Sequence, residues 1–390
     1  MICGKVRRLV CGSLWKITSI CFALQCCNAF AIGPFGRIDV WPFPHSSGAS
    51  ANAAASADFD NDGDIDIAAS YGSSVVWYKN KNGDSLTWWQ GSSPLSTSVT
   101  TNYNCLTLFA GDVDGDGDSD LVGGCTSSGV SYVAWFENSS NGTTWTPHLV
   151  YQLSELIHWV EPADIDGDGD LDLAVAFYAT LGWMELNSGS AVAWTTLDSS
   201  GFANFRCAHP ANLDSDSELE ILGVLHYGIT LSRQVCIYQP AGTRTDLATT
   251  QISSPWSAWH GDFDGDGDND VAAGTSSQTF IWRNDSGGTW TAITAPSGAG
   301  QLLRSGDFDG DGSDELVAGY TLRVLKYNGS TWSSTTVEPT MTPNLASTAG
   351  FDVADIDLDG DLDITGPGVA GVHWWGDGES SHFYNPYGGY

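Results

Sequence analysis

Apolar residues along this chain come in short runs of four to six, and they do not recur at the three-and-four spacing of an amphipathic helix. Gly, Asn, Asp and Ser bracket each run, which is the pattern of short strands and turns. The runs follow a fixed order. A small apolar segment comes first, as in 53–57 or 256–261, and an acidic loop follows it. Next is a β-branched or small run (65–69, 171–175, 315–319), then an aromatic strand that ends at an Asn-rich turn (77–80, 135–138, 282–284). A last strand usually carries another tryptophan: Trp88, Trp145, Trp194, Trp290 or Trp332.

This order repeats seven times. The first positions of the acidic loops are Asp58, Asp112, Asp164, Asn212, Asp262, Asp307 and Asp355, which lie 45 to 54 residues apart. A period of that length marks an array of identical units in place of two unrelated domains. Four antiparallel strands per unit, repeated seven times, predict an all-β fold: a seven-bladed β-propeller spanning about residues 32–375. The seventh unit lacks a last strand after Trp374 and Trp375. Residues 37–43 supply one, because Trp41 precedes Asp58 by the same 17 residues that separate Trp290 from Asp307. This N-terminal strand is expected to complete the last blade, leaving 376–390 as an outer strand or tail; closure by Phe383 and Tyr384 is the alternative.

The loops read DxDxDGxxD. Positions 1, 3 and 5 offer side-chain oxygens, position 6 is a turn glycine, position 7 offers its carbonyl and position 9 closes the cage. The first loop gives Asp58, Asp60, Asp62, Asp64 and Asp66, and the second Asp112, Asp114, Asp116, Asp118 and Asp120. The third gives Asp164, Asp166, Asp168, Asp170 and Asp172, and the fifth Asp262, Asp264, Asp266, Asp268 and Asp270. The sixth has Asp307, Asp309, Asp311, Ser313 and Glu315, and the seventh Asp355, Asp357, Asp359, Asp361 and Asp363. The fourth departs: Asn212, Asp214, Asp216, Glu218 and Glu220 lack the first carboxylate and the turn glycine, which predicts a weak or empty site. An all-oxygen donor set of this charge suits calcium, whereas softer metals would call for His or Cys.

The formal net charge of −33 resides mainly in these loops, which hold five acidic residues each except the fourth, with four, out of 47 in the chain. Carboxylates so close together repel unless a cation sits among them, so the acidity is metal-ligand chemistry in the main. With no basic patch, the phosphate-contact term that drives nucleic-acid binding is missing.

Residues 1–31 read as a secretory signal, with Lys5, Arg7, Arg8 and Lys16 ahead of an apolar run and a small-x-small site at 29–31. No later segment is long and apolar enough for a transmembrane anchor, so a secreted or cell-surface location is expected. Four cysteines then remain. Cys105 and Cys125 flank the second loop and Cys207 and Cys236 the fourth, and these two local disulfides are the expected pairings among three possible connectivities. Asn138, Asn141, Asn284 and Asn328 open N-glycosylation sequons.

Stretches such as 163–172 resemble FG-GAP/VCBS repeats, the units of integrin α-subunit heads and of many secreted propellers. The resemblance covers nearly all of the mature chain. It implies that the loops join the two inner strands of each blade and hold structural calcium. It also implies an extracellular binding or adhesion module whose partner is a glycan or protein ligand, possible carbohydrate binding included. The alternatives are a self-assembling structural subunit of a matrix or filament and, less favoured, a polysaccharide-active hydrolase or lyase. For the enzyme, the residues three places before each loop matter, since they are expected to face the channel: Ala55, Phe109, Glu161, His209, Trp259, Arg304 and Asp352. No nucleophile elbow, His-x-x-x-His pair or phosphate loop accompanies them, so a non-enzymatic role is expected. His148, His158 and His260 are read as surface or inter-blade residues and not as zinc ligands.

Overall fold

The computed structural model describes residues 36–39, 51–72, 74–80, 88–90, 104–139, 141–199, 203–214, 216–227, 233–247, 252, 255–275, 278–285, 289–293, 300–320, 322–338, 350–368 and 371–376. The signal segment, Trp41 and the residues after 376 lie outside these. The described residues form seven antiparallel sheets and no helix.

Each sheet is one blade, and the strands run in chain order from the innermost outwards. Blade 3 shows the plan: Ile157–Ala163, Asp172–Phe177, Leu181–Asn187 and Ser190–Asp198, each paired antiparallel with the next. In blade 2 the inner strand is broken into Asn104–Cys105 and Phe109–Gly111, both on Asp120–Ser127. In blade 7 the outermost position belongs to the other end of the chain: Gly36–Asp39 pairs with Gly371–Gly376, in register from Gly36↔Gly376 to Asp39↔His373.

The core lies between blades. Residues of consecutive blades share apolar clusters, such as Phe59, Trp77, Leu121, Phe136 and Trp145 of blades 1 and 2. Ile356 of blade 7 packs with Ile67, Tyr71 and Tyr78 of blade 1. Tryptophans fill the wedge, as expected from their size. Trp77 lies against Gly142 of the next blade, where a Cβ would stand 2.6 Å from the ring. Trp135 meets Gly189 in the same way at 2.5 Å. These two glycines are required because the indole occupies the space of a side chain.

An asparagine staples each of several blade pairs. Asn138 is buried, and its Nδ2 donates to the carbonyls of Phe59 (2.7 Å) and Ser119 (3.0 Å). Asn284 Nδ2 donates to Leu213 (3.0 Å) and Asn80 Nδ2 to Ile356 (2.9 Å). In every case the acceptor across the blade boundary is position 2 of the preceding blade's acidic loop. Two of the four sequon asparagines are therefore committed inside the fold, and a glycan on Nδ2 of Asn138 or Asn284 would break these bonds. Asn141 and Asn328 remain on exposed turns.

The cysteine expectation is met at one pair and corrected at the other. Cys105 and Cys125 face each other on adjacent strands and form a disulfide. Cys207 and Cys236 are buried free thiols. They lie on the first and third strands of blade 4, opposite Val224 and Gly223 of the strand between them, so a whole strand separates the sulfurs. Flanking one loop in sequence does not bring residues onto neighbouring strands.

Candidate functional site

The molecule has three levels along its axis. Acidic loops join the first and second strands at one end, the residues three places earlier make a middle layer, and those six places earlier lie towards the opposite mouth, about 20 Å from the loops at strand rise.

In each full loop the position-1 carboxylate folds the chain around itself. Asp58 accepts from the amides of Asp62 (3.1 Å) and Gly63 (2.8 Å), and Asp112, Asp164, Asp262, Asp307 and Asp355 each accept from the position-6 glycine. Those glycines have φ between 92° and 102°, which disfavours any Cβ. Position 4 is also left-handed, with Asn61, Gly115, Gly167, Gly265, Gly310 and even Leu358 at φ of 55° to 77°.

The position-9 carboxylate is buried and anchors two strands. Asp66 accepts from the amides of Phe59 (3.2 Å) and Asn80 (2.7 Å), and Asp120, Asp172 and Asp270 accept equivalent pairs. Burial, opposed by these amide bonds and reinforced by neighbouring carboxylates, pushes Asp66 up to about 8 and Asp120, Asp172 and Asp270 to about 7.

Carboxylate oxygens converge within each loop. Those of Asp112, Asp114 and Asp120 lie within 4.8 Å of one another, as do those of Asp58, Asp60 and Asp62, of Asp164, Asp166 and Asp172, and of Asp262, Asp264 and Asp266. Asp214, Asp216 and Glu220 of the fourth loop also converge, although Asn212 stands where the other loops have a carboxylate. The position-3 oxygens of four loops (Asp60, Asp264, Asp309 and Asp357 Oδ1) are buried without a hydrogen-bond partner, as is Asp164 Oδ1. Buried acceptors without donors are costly, and a hard cation is the group that satisfies all of them at once. The donor set fits a divalent metal.

The loops are not equivalent, and the sequence reading missed the reason. The third-strand residue beside each loop varies: Lys79, Glu137, Glu185, Arg283 and Lys326. Lys326 Nζ reaches Asp309, Asp311 (2.7 Å) and Glu315 (3.0 Å). Lys79 contacts Asp60 and lies 2.7 Å from Asp62, while Arg283 approaches Asp264 at 3.6 Å. Loops 1 and 6 thus hold an ammonium of their own. The spacing after Trp77 and before Tyr327 could have revealed it.

The middle layer brings the expected channel residues together and packs them against one another. His209 accepts or donates at both ring nitrogens, with Nδ1 3.0 Å from Glu161 Oε2 and Nε2 2.7 Å from His260 Nδ1. Its ring stacks on Trp259 at 3.6 Å. Trp159 Nε1 donates to Glu161 (2.7 Å). Arg304 lies over Trp259 at 4.0 Å and over the rings of Phe109 in blade 2 and Phe351 in blade 7. Asp352 accepts from the amide of Ser56 (2.8 Å), and its charge acts on Arg304. Glu161, His209 and Arg304 are buried, so side chains pack against one another at this level. His260 belongs to this network too, meeting His209 of the preceding blade. His148 is half-buried, stacked on Trp135 and 2.7 Å from Glu137.

A family model for the FG-GAP-like repeat matches residues 58–123, 112–175, 262–318 and 307–365. No curated protein matches the sequence. Among solved structures, one described as showing specific recognition of non-reducing terminal N-acetylglucosamine by an Agrocybe aegerita lectin is similar, with a TM-score of 0.52 and 15% identity. That match covers 80% of this chain and 82% of the lectin. BBS1N, in a complex with ARL6DN, is similar with a TM-score of 0.53 and 10% identity over 84% of this chain and 91% of its own. At such identities these likenesses concern the fold alone. The family match spans more than half of the residues and falls on the acidic loops and the strands that carry them, so the chain belongs to the FG-GAP-like repeat family.

Proposed function

We propose that the protein is a secreted, calcium-stabilised binding module that recognises extracellular glycans and does not catalyse a reaction. The observation that carries this reading is a partly exposed aromatic cluster where blades 2 and 3 meet, at the end opposite the acidic loops. The Tyr151 and Trp194 rings lie nearly parallel, 3° apart with centroids at 6.1 Å, and Phe177 supports both. Tyr151 is 40% exposed and Trp194 half-buried, and Tyr178 and Leu156 are exposed at the same end. Large exposed apolar patches mark binding surfaces, and aromatic faces suit the apolar faces of sugar rings. The lectin likeness supports the choice of glycan.

Calcium would be held by the position-1, 3, 5 and 9 carboxylates of the six full loops, neutralising charge and pinning the first strand of each blade to the second. The signal-like residues 1–31 and the Cys105–Cys125 disulfide support an oxidising, exported setting. Among the described residues no helix is long and apolar enough to cross a membrane. The burial of Glu161, His209 and Arg304 disfavours a substrate at the axis.

The test is a glycan array with size-exclusion chromatography on the mature protein, with calcium and then with chelator. Calcium-dependent sugar binding by a monomer, lost in Tyr151→Ala and Trp194→Ala, is the expected result. Large assemblies indifferent to every sugar would replace this reading with the structural-subunit one, and turnover of a polysaccharide abolished by Glu161→Gln would replace it with the enzyme.

A further inference from the structure

The inner strands carry a repeated irregularity at the mouth opposite the acidic loops. Pairing slips between Ile157 and Trp159, Phe205 and Cys207, Pro255 and Ser257, and Gly300 and Leu303. In blades 3, 4 and 5 the extra residue is the one six places before the loop: His158, Arg206 and Trp256; in blade 6 the slip spans Gln301 and Leu302. Bulges re-aim side chains and concentrate next to functional sites. Here they gather an imidazole, a guanidinium, an indole and an amide around one end of the axis, above the packed middle layer.

Among the described residues, several of their polar groups have no partner. Among the described residues no carboxylate pairs with Arg206, although Lys79, Arg244, Arg283 and Lys326 all have acidic partners. Its guanidinium lies 4.8 Å above the Trp256 ring. Beside it, His158 is only 4% exposed and its Nε2 has no partner, and Gln301 Oε1 is likewise buried without one. Burial and the Arg206 charge, opposed by Asn204, push His158 down to about 4, so at neutral pH its ring is uncharged. Tyr178 borders the group with half of its surface exposed. Its backbone is tied to Leu156 (2.9 Å) on one side and Phe205 (3.3 Å) on the other.

We infer that this mouth binds an acidic sugar, a uronate or sialate, with Arg206 holding the carboxylate and Trp256 and Tyr178 walling the ring. A guanidinium grips a carboxylate through two parallel hydrogen bonds. One cation without a carboxylate partner among the described residues matches a monoanion, not a dianionic phosphate ester. The neutral imidazole and the amide supply the hydroxyl partners that a sugar needs and a bare anion does not. The choice of a sugar over other carboxylates rests on the glycan-binding reading above; the carboxylate anchor itself does not.

Titration calorimetry of the calcium-loaded full protein with methyl glucuronide, N-acetylneuraminate, methyl glucoside, glucose 6-sulfate and acetate tests this. The acidic sugars should bind, the neutral glucoside and acetate should not bind at this site, and Arg206→Gln should weaken the acidic sugars by about tenfold or more. Tyr178→Ala, at a position whose side chain is half exposed, should weaken them too, with the melting temperature unchanged. Equal binding by Arg206→Gln, or preference for the sulfate, overturns the inference. Neutral glycans bound on the array without any acidic sugar at this mouth would also overturn it while leaving the proposed function standing. Failure of every sugar in both experiments would remove both.

Discussion

The carboxylate that ends each acidic loop takes part in two equilibria. Asp66, Asp120, Asp172 and Asp270 accept amides from two strands, so they belong to the fold, and Asp120 and Asp172 stand among the converging oxygens that would hold a metal. Burial first, and crowding by like charge, raises them from 3.8 to about 7 or 8. In metal-free protein the folded state therefore binds these protons more tightly than the unfolded chain. Their contribution to stability is fully present below the unfolded value and is lost as pH climbs through about 7 to 8. Melting with chelator should accordingly fall in temperature from about pH 5 to pH 8. With excess calcium the slope should vanish or reverse, because metal displaces the protons. Parallel pH slopes in both conditions would show that these carboxylates are not the metal ligands. The ligand positions were legible at this scale because oxygen spacing is written directly in DxDxDGxxD. The role of Asn138 was not. A sequon and an inter-blade staple are the same three residues in sequence, and only the carbonyl of Phe59, 79 residues away, separates the two readings.

Among the full loops, the sixth is the one whose carboxylates are most engaged by a neighbouring ammonium. Lys326 holds three of its carboxylates, whereas the equivalent neighbours of loops 2 and 3 are Glu137 and Glu185. An ammonium within about 4 Å of a divalent ion opposes binding by kilocalories even at high effective dielectric. Replacing Lys326 with Met should therefore tighten calcium binding at this loop by roughly tenfold or more, read as one stronger site in calorimetry. An unchanged or weaker titration would mean that the lysine leaves the loop when metal enters. Strand order was fully legible, because alternating runs and turn residues have a local cause. The bulges at His158, Arg206 and Trp256 were not: an extra residue in a strand shows only against its partner, and the partner is specified by pairing rather than by composition. The free thiols of Cys207 and Cys236 escaped for the same reason, since the strand between them is invisible to their spacing in the sequence.

For the whole molecule, consecutive blades bury one another's apolar faces, and no blade is complete alone. Loss of metal from any loop should therefore be felt through its neighbours. Chelation is expected to lower the melting temperature in a single cooperative transition, by about 10 °C or more if several loops empty together, as ligand linkage requires. Separate transitions for separate blades would contradict the shared cores. The propeller was legible at this scale from periodicity alone, while the filled axis was not, because stacking of His209 on Trp259 depends on two blades meeting. The pairing of Gly36–Asp39 with Gly371–Gly376 has a consequence in time. During synthesis this strand must wait, unpaired, until the strands of all seven blades have left the ribosome. Its partner arrives last, and contacts between such distant positions form slowly. The growing protein is an open arc with a bare edge at each end, and the interval before the two ends meet is when it is most exposed to pairing with another copy of itself.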